Sequence, residues 1–91
     1  MYKIITTKRF KKKLVKKIKY QTDFKSRIEK ILIILSESPF ENNIGSHKLI
    51  GNLNGYYACA CGYDCRIIYQ IIKEDEIIVL SDIGTHDEVY Y

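Results

Sequence analysis

The sequence predicts an α+β domain of order βααβββ: a small, twisted, mainly antiparallel sheet with an N-terminal α-hairpin packed on one of its faces. Three observations carry this. Residues 56–83 form three runs rich in Ile, Val and Tyr, broken by Gly-Tyr-Asp and Glu-Asp. Residues 8–35 hold two apolar stripes at helical spacing, and residues 2–7 are short, alternating and β-branched.

The first strand is Tyr2–Thr7, and Thr6 or Thr7 can cap the helix behind it. In that helix Phe10, Leu14 and Ile18 recur every four residues, while Lys11, Lys12, Lys13, Lys16, Lys17 and Lys19 fill the other faces. Lysines one turn apart repel, so the helix must be held by docking its stripe or by a partner that neutralises it. The pattern resets at Tyr20–Asp23, with Thr22 or Asp23 as the next cap. Phe24, Ile28, Ile31, Leu32 and Leu35 then mark a second amphipathic helix that Ser36–Pro39 ends. Phe40–Gly55, with four Asn and few apolar residues, reads as a loop anchored by Leu49 and Leu53. Tyr56–Cys61, Cys65–Lys73 and Glu76–Ile83 are the strands of a meander, turning at Gly62–Asp64 and Glu74–Asp75. On the middle strand Ile67, Tyr69 and Ile71 share one face; Arg66, Ile68, Gln70 and Ile72 share the other.

Ninety-one residues make one domain, 1–91, with a single core. No run of 18 apolar residues is present, so no transmembrane span is predicted. Lys and Arg recur through the first 30 residues where a secretory leader needs an apolar run, and the expected location is cytoplasmic. Charge is uneven. Residues 1–30 carry twelve basic side chains against two acidic ones, whereas residues 31–91 carry three against nine. A basic N-terminal third suits either a polyanionic partner, nucleic acid foremost, or a solvated lysine face.

The polar set in the second half is His47, Asp64, Arg66, His86 and Tyr90. Neighbouring strands lie about 4.8 Å apart, so groups at one end of a small sheet can converge. Two histidines, a carboxylate and an arginine are sufficient to cleave RNA. One His takes the 2′-OH proton, the other protonates the leaving 5′-oxygen, and Arg holds the phosphate as its charge grows. An aromatic near His86 can stack on an unpaired base. Taken singly, each His is more often structural, and the charge run is as readily a solvated face as a binding surface.

Cys59, Cys61 and Cys65 lie within CACGYDC. Their odd number in a cytosolic-type chain argues against a disulfide framework. A Cys₃His zinc site is disfavoured, because C-x-C-x₃-C is not a knuckle spacing and i, i+2 thiolates on a strand fit a tetrahedral ion poorly. The reading is of small cysteines packed in a sheet, with no metal and no cofactor.

Three segments carry a family resemblance: H-x-L-x-G-x-L-x-G-Y from His47 to Tyr56, D-x-R-I-I-Y from Asp64 to Tyr69, and I-G-T-H-D-E-V-Y from Ile83 to Tyr90. In them the chain resembles the RelE/ParE toxin superfamily, most closely its YafQ-like branch, over nearly its whole length. The resemblance implies a toxin of a type II toxin–antitoxin pair that cuts mRNA on the ribosome through 2′-OH attack, with the site on the open concave face of the sheet. It implies His86 as general acid, His47 as base or phosphate ligand, Asp64 as orienter, Arg66 as phosphate clamp and Tyr90 as base stack. Lys8, Lys11, Lys12, Lys13 and Lys16 would grip ribosomal RNA, and Tyr57, Cys59 and Cys61 would line the RNA path on the strand before the hairpin. The implied partners are the ribosome, mRNA and a cognate antitoxin with an acidic, partly disordered segment.

The chain departs from the family where YafQ-like toxins carry a further strand histidine, since Ala60 stands there. Tyr57 and Cys59 stand where RelE has lysines, and Cys65 replaces the aromatic after the aspartate. Cys59, Cys61 or Tyr57 are the candidates to supply the missing acid–base group. The alternatives are a non-nucleolytic ParE-type toxin that binds gyrase or another target, and a zinc-bound RNA-binding module.

Overall fold

Thr7 joins the first strand, the first helix and the far side of the sheet. β1 (Lys3–Thr6) ends where Thr7 takes an extended conformation, and its Oγ1 accepts the Phe10 N–H at 3.2 Å, capping α1 (Lys8–Tyr20). The same hydroxyl donates to the Leu80 carbonyl at 3.0 Å, fixing the helix start to the sheet. This is a computed structural model, and it describes residues 1–40 and 44–90.

α1 docks through Phe10, which is fully buried, with Leu14 and Ile18 half-buried behind it. α2 (Phe24–Glu37) buries Phe24, Ile28, Ile31 and Leu35. Asp23 occupies its cap position but makes no side-chain capping bond, so packing rather than a cap sets this start. At its end the Ser38 N–H closes on the Ile34 carbonyl, and Pro39 follows.

The sheet has five strands in the order β1-β5-β4-β3-β2, where β2 is His47–Lys48, β3 Tyr57–Gly62, β4 Cys65–Ile72 and β5 Ile77–Gly84. β1 runs parallel to β5 and the remaining pairs are antiparallel. The predicted α+β architecture is present with two additions. The stretch read as a loop contributes β2 and a 3₁₀ turn at Gly51–Leu53, and a short helix α3 (His86–Tyr90) closes the described chain. Leu49 and Leu53 are half-buried there, while Ile44 enters the main core.

Helices α1 and α2 cover one face of the sheet, over Cys59, Cys61, Ile67, Tyr69, Ile78 and Leu80. Ser81 is an extra residue opposite the Ile68–Tyr69 step, so Leu80 and Ile83, three apart, both point into this core. The opposite face holds a smaller cluster of Ala58, Ile68 and Val89, flanked by Leu49, Tyr56 and Tyr90. That face is open except where α3 and the Leu49–Tyr56 segment rest on it.

The cysteine expectation is corrected in one respect. Cys61 and Cys65 form a disulfide across the β3–β4 turn, with Cα atoms 4.9 Å apart. Cys59 pairs with Ile67, so Cys61 and Cys65, each two residues along its strand, share the helix-covered face at the hairpin end. Cys59 is free and buried, as expected of a packed sheet cysteine.

Candidate active site

The open face collects its polar groups from four elements. β2 pairs His47 with Ala58, which sets the imidazole at the sheet edge. Its Nδ1 lies 2.8 Å from the Gly45 carbonyl; a carbonyl only accepts, so Nδ1 is the donor and Nε2 is the nitrogen turned to the cleft's chemistry. Across the sheet Ala60 pairs with Arg66 and Arg66 with Gly84, so the guanidinium rises between β3 and β5. One of its N–H groups donates to the Cys65 carbonyl at 2.8 Å, and the rest of the fork remains available to an anion.

α3 supplies the other wall. Thr85 and Glu88 form a capping box: Thr85 Oγ1 accepts the Glu88 N–H at 3.2 Å, and Glu88 Oε1 accepts the Thr85 N–H at 2.7 Å. The Thr85 N–H bond, ahead of the neighbouring Lys17 and Lys13, holds the Glu88 carboxyl below the usual carboxylate range. Asp64 reaches over from the β3–β4 turn and accepts the His86 N–H at 3.1 Å. Within α3 the His86 ring meets the Tyr90 ring edge-on, centroids 4.6 Å apart, and Asp87 lies 3.5 Å from His86 Nδ1. Burial raises the Tyr90 phenol, an effect that Arg66 opposes, so it is un-ionised at neutral pH.

His47, Arg66, His86 and Tyr90 therefore line one shallow cleft of about 430 Å³, walled by Leu49, Ile50 and Leu53. Asp64 belongs to it indirectly, through the backbone of His86. A second cleft of about 650 Å³ shares Leu53 and Tyr90 with the first and runs toward Tyr56, Asp82 and Arg9.

Other expected residues are not brought there. Tyr57, Cys59 and Cys61 have the parity of the helix-covered face, as the register Tyr57↔Tyr69 and Cys59↔Ile67 shows. Tyr57 stacks on Tyr69 at 5.8 Å, and Cys59 and Cys61 are enclosed in the core. None of the three lines the cleft of His47, Arg66, His86 and Tyr90 or stands where the absent strand histidine would face it. Burial pushes the Cys59 thiol up to about 12, which keeps it protonated. Ala60, on the open face beside Arg66, leaves a bare floor. Lys8, Lys11, Lys12 and Lys16 are exposed on α1, outside the cleft. Lys13 is instead committed to the fold: its Nζ sits 2.7 Å from the carboxylate of Asp82, which Arg9 also approaches at 3.3 Å.

The sequence carried a signal for one missed feature: T-x-x-E at Thr85–Glu88 announces the start of α3. Among the described residues no three His, Cys, Asp or Glu side chains converge as a metal site, and no helix is long and apolar enough to cross a membrane.

A family model described as a bacterial toxin of type II toxin–antitoxin system, YafQ, matches residues 2–91. Among solved structures, a metal-bound toxin from Helicobacter pylori is 31% identical with a TM-score of 0.83, covering 98% of this chain and 99% of that one. YafQ from E. coli strain BL21(DE3) shares the fold at 18% identity and TM-score 0.79, with both chains covered in full. A YoeB–YefM complex from Staphylococcus aureus does so at 18% identity and TM-score 0.78, covering 94% of this chain and 98% of that one. No curated protein sequence matches.

Proposed function

The chain belongs to the YafQ family of bacterial type II toxins, and from that membership we propose that it is a ribosome-dependent endoribonuclease that cuts mRNA. The observation that carries the reading is the meeting of His47, Arg66, His86 and Tyr90 in one cleft on the open sheet face.

The chemistry follows from the groups present. His47 Nε2 takes the proton of a ribose 2′-OH, and the 2′-oxygen attacks the adjacent phosphorus. Arg66 binds the non-bridging oxygens as negative charge accumulates on them. His86 gives a proton to the departing 5′-oxygen, leaving a 2′,3′-cyclic phosphate and a 5′-hydroxyl. Tyr90 offers its ring to a base beside the scissile linkage, and the neighbouring cleft gives the strand a way onward. Asp64 positions His86 through its backbone. The exposed lysines of α1 supply a salt-sensitive grip on ribosomal RNA. A cognate antitoxin with an acidic, partly disordered segment is the natural inhibitor of so basic a surface, and the toxin–antitoxin complexes of related folds support such a partner. The toxin acts where its ribosomes are, in the cytoplasm.

The deciding experiment maps mRNA 5′ ends after brief induction of the native chain and of His86→Ala. In-frame cuts that vanish in a folded His86→Ala protein are expected. Cuts that persist undiminished would remove His86 from the mechanism. Ala60 favours a second reading, because the open face lacks the further histidine of the family. In that reading the toxin arrests growth by binding gyrase or another target, and arrest with intact mRNA, indifferent to His47→Ala and His86→Ala, would establish it.

A further inference from the structure

The Cys61 and Cys65 side chains play no part in the chemistry above, yet they close the turn that carries Asp64. The Cys61–Cys65 bridge encloses only Gly62, Tyr63 and Asp64. Asp64 in that turn holds the His86 N–H, and the carbonyl of Cys65 itself holds the Arg66 guanidinium. Two of the cleft's groups are thus held by a turn that the bridge ties in addition to the β3–β4 pairing of Gly62 with Cys65. We propose that Cys61 and Cys65 are a reversible oxidation site for low-molecular-weight disulfides of the glutathione class, and that the state of this pair sets the geometry of the cleft. The site needs no nuclease to exist; only its consequence for cleavage rests on the reading in the preceding section.

The exchange balances in two steps. A thiolate of the pair attacks one sulfur of the small disulfide and expels one small thiolate, leaving a mixed disulfide. The second cysteine, as thiolate, then attacks the protein sulfur of that mixed disulfide and expels the other half. Two protein thiols are oxidised, one small disulfide is reduced to two thiols, and the two protein protons end on the released thiols. The surroundings suit the reaction. Tyr63 and Asp64 at the turn are exposed, and Cys65 retains 5% of its surface against 1% for Cys61, which makes Cys65 the entry point. Arg27 of α2 lays its guanidinium against the bare side of Gly62: a methyl group there would meet Nη1 at 2.9 Å and Cys65 Cβ at 3.6 Å. Arg27 thus sets a cation at the same turn as Cys65, and a cation near a thiol favours the thiolate, the attacking form. Cys59, buried and protonated, is a spectator.

The test equilibrates the purified full chain in glutathione buffers from reducing to oxidising, traps free thiols by alkylation and reads the bridge by mass. Two thiols should disappear together at Cys61 and Cys65, with Cys59 alkylated only on denaturation. The His86 amide and ring resonances should move with the bridged fraction, and ribosome-dependent cleavage should fall roughly ten-fold on reduction, as displaced catalytic groups would cause. A Cys61→Ala/Cys65→Ala double variant should show the reduced form's His86 signals at every ratio; if it does not fold, the titration of the native chain decides alone. Thiols that stay free in oxidised glutathione overturn the proposal. So does a bridge that forms while the His86 signals and hydrogen exchange of the turn stay fixed, since it would then be a staple only. If neither form cleaves RNA while bridge and His86 move together, the nuclease reading fails and this site stands.

Discussion

Asp64 holds His86 by the backbone and not by the ring: its carboxylate accepts the His86 N–H at 3.1 Å from across the sheet. The bond ties the β3–β4 turn, which leads directly into Arg66, to the first residue of α3. Asp64→Ala removes it, and the expected result is a fall in cleavage of roughly ten-fold with a stability loss of about 1 kcal/mol. Asp64→Asn keeps an acceptor oxygen and should retain most of the activity. Single-turnover cleavage beside thermal melts of both variants checks this; equal losses for Ala and Asn would mean the negative charge itself is needed.

The Thr85–Glu88 capping box makes the site acid-sensitive through structure. The folded Glu88 pKa lies below its unfolded value. Its contribution is therefore complete above the ordinary glutamate pKa of about 4.3 and is lost as pH falls through the lowered folded value. The Thr85 and Glu88 amide signals, which belong to the capping box, should shift together in acid. Glu88→Gln, which still accepts the Thr85 N–H, should abolish that step, and Glu88→Ala should leave α3 frayed at every pH.

Most of this architecture was legible because long elements advertise themselves. The β-branched alternation of Cys65–Ile72 and the four-residue recurrence of Phe10, Leu14 and Ile18 fix a strand and a helix without tertiary help. β2 is two residues long and α3 is five, too short for any periodicity; tertiary pairing with β3 and packing of Val89 on Ala58 and Ile68 create them. The histidines were recognisable by type, but their convergence depends on those two short elements. The cysteines were misplaced for a different reason. Period-2 alternation sorts residues into two faces without saying which one the helices cover, and only the register Cys59↔Ile67 couples them to the core.

Beneath His47 the sheet is pinned by a buried phenol. Tyr69 Oη donates to the Pro39 carbonyl at 2.9 Å and lies 3.0 Å from Ser46 Oγ, next to His47 in the chain. Burial pushes this phenol up to about 12, so it donates at any physiological pH. Tyr69→Phe should cost about 1–2 kcal/mol, because the Pro39 carbonyl loses its donor. It should also raise hydrogen exchange around Ser46–Lys48 and slow cleavage, whereas unchanged exchange there would show that β3 pairing alone holds His47.

Asp82 separates the structural lysine of α1 from the free ones. Its buried carboxylate accepts the Ile83 N–H at 2.9 Å and faces Lys13 and Arg9. Asp82→Ala should destabilise by about 2 kcal/mol; both cations can turn to water, which keeps the loss below that of a fully buried pair. Lys13→Ala should likewise lower the melting temperature, while Lys12→Ala should leave it unchanged and weaken ribosome binding with a reduced salt slope. A Lys13→Ala protein of native stability would return that lysine to the RNA-binding surface.

Ala60 allows the nuclease reading to be tested by gain rather than loss. It lies on the open face, paired with Arg66 and half-exposed, so a larger side chain there would project into the cleft without entering the core. An imidazole at this place sits one strand from the phosphate clamp and supplies the acid–base group that the buried Cys59 and Cys61 cannot. A positioned general acid or base contributes on the order of 10²-fold or more when well placed; a grafted one, without tuned neighbours, should give about ten-fold. Ala60→His is therefore expected to raise ribosome-dependent cleavage at the same mRNA positions, with stability unchanged. If the native chain already works through His47 and His86, the gain must vanish in Ala60→His/His86→Ala. Cleavage by that double variant would mean the introduced histidine acts alone and that the native cleft lacks its own acid.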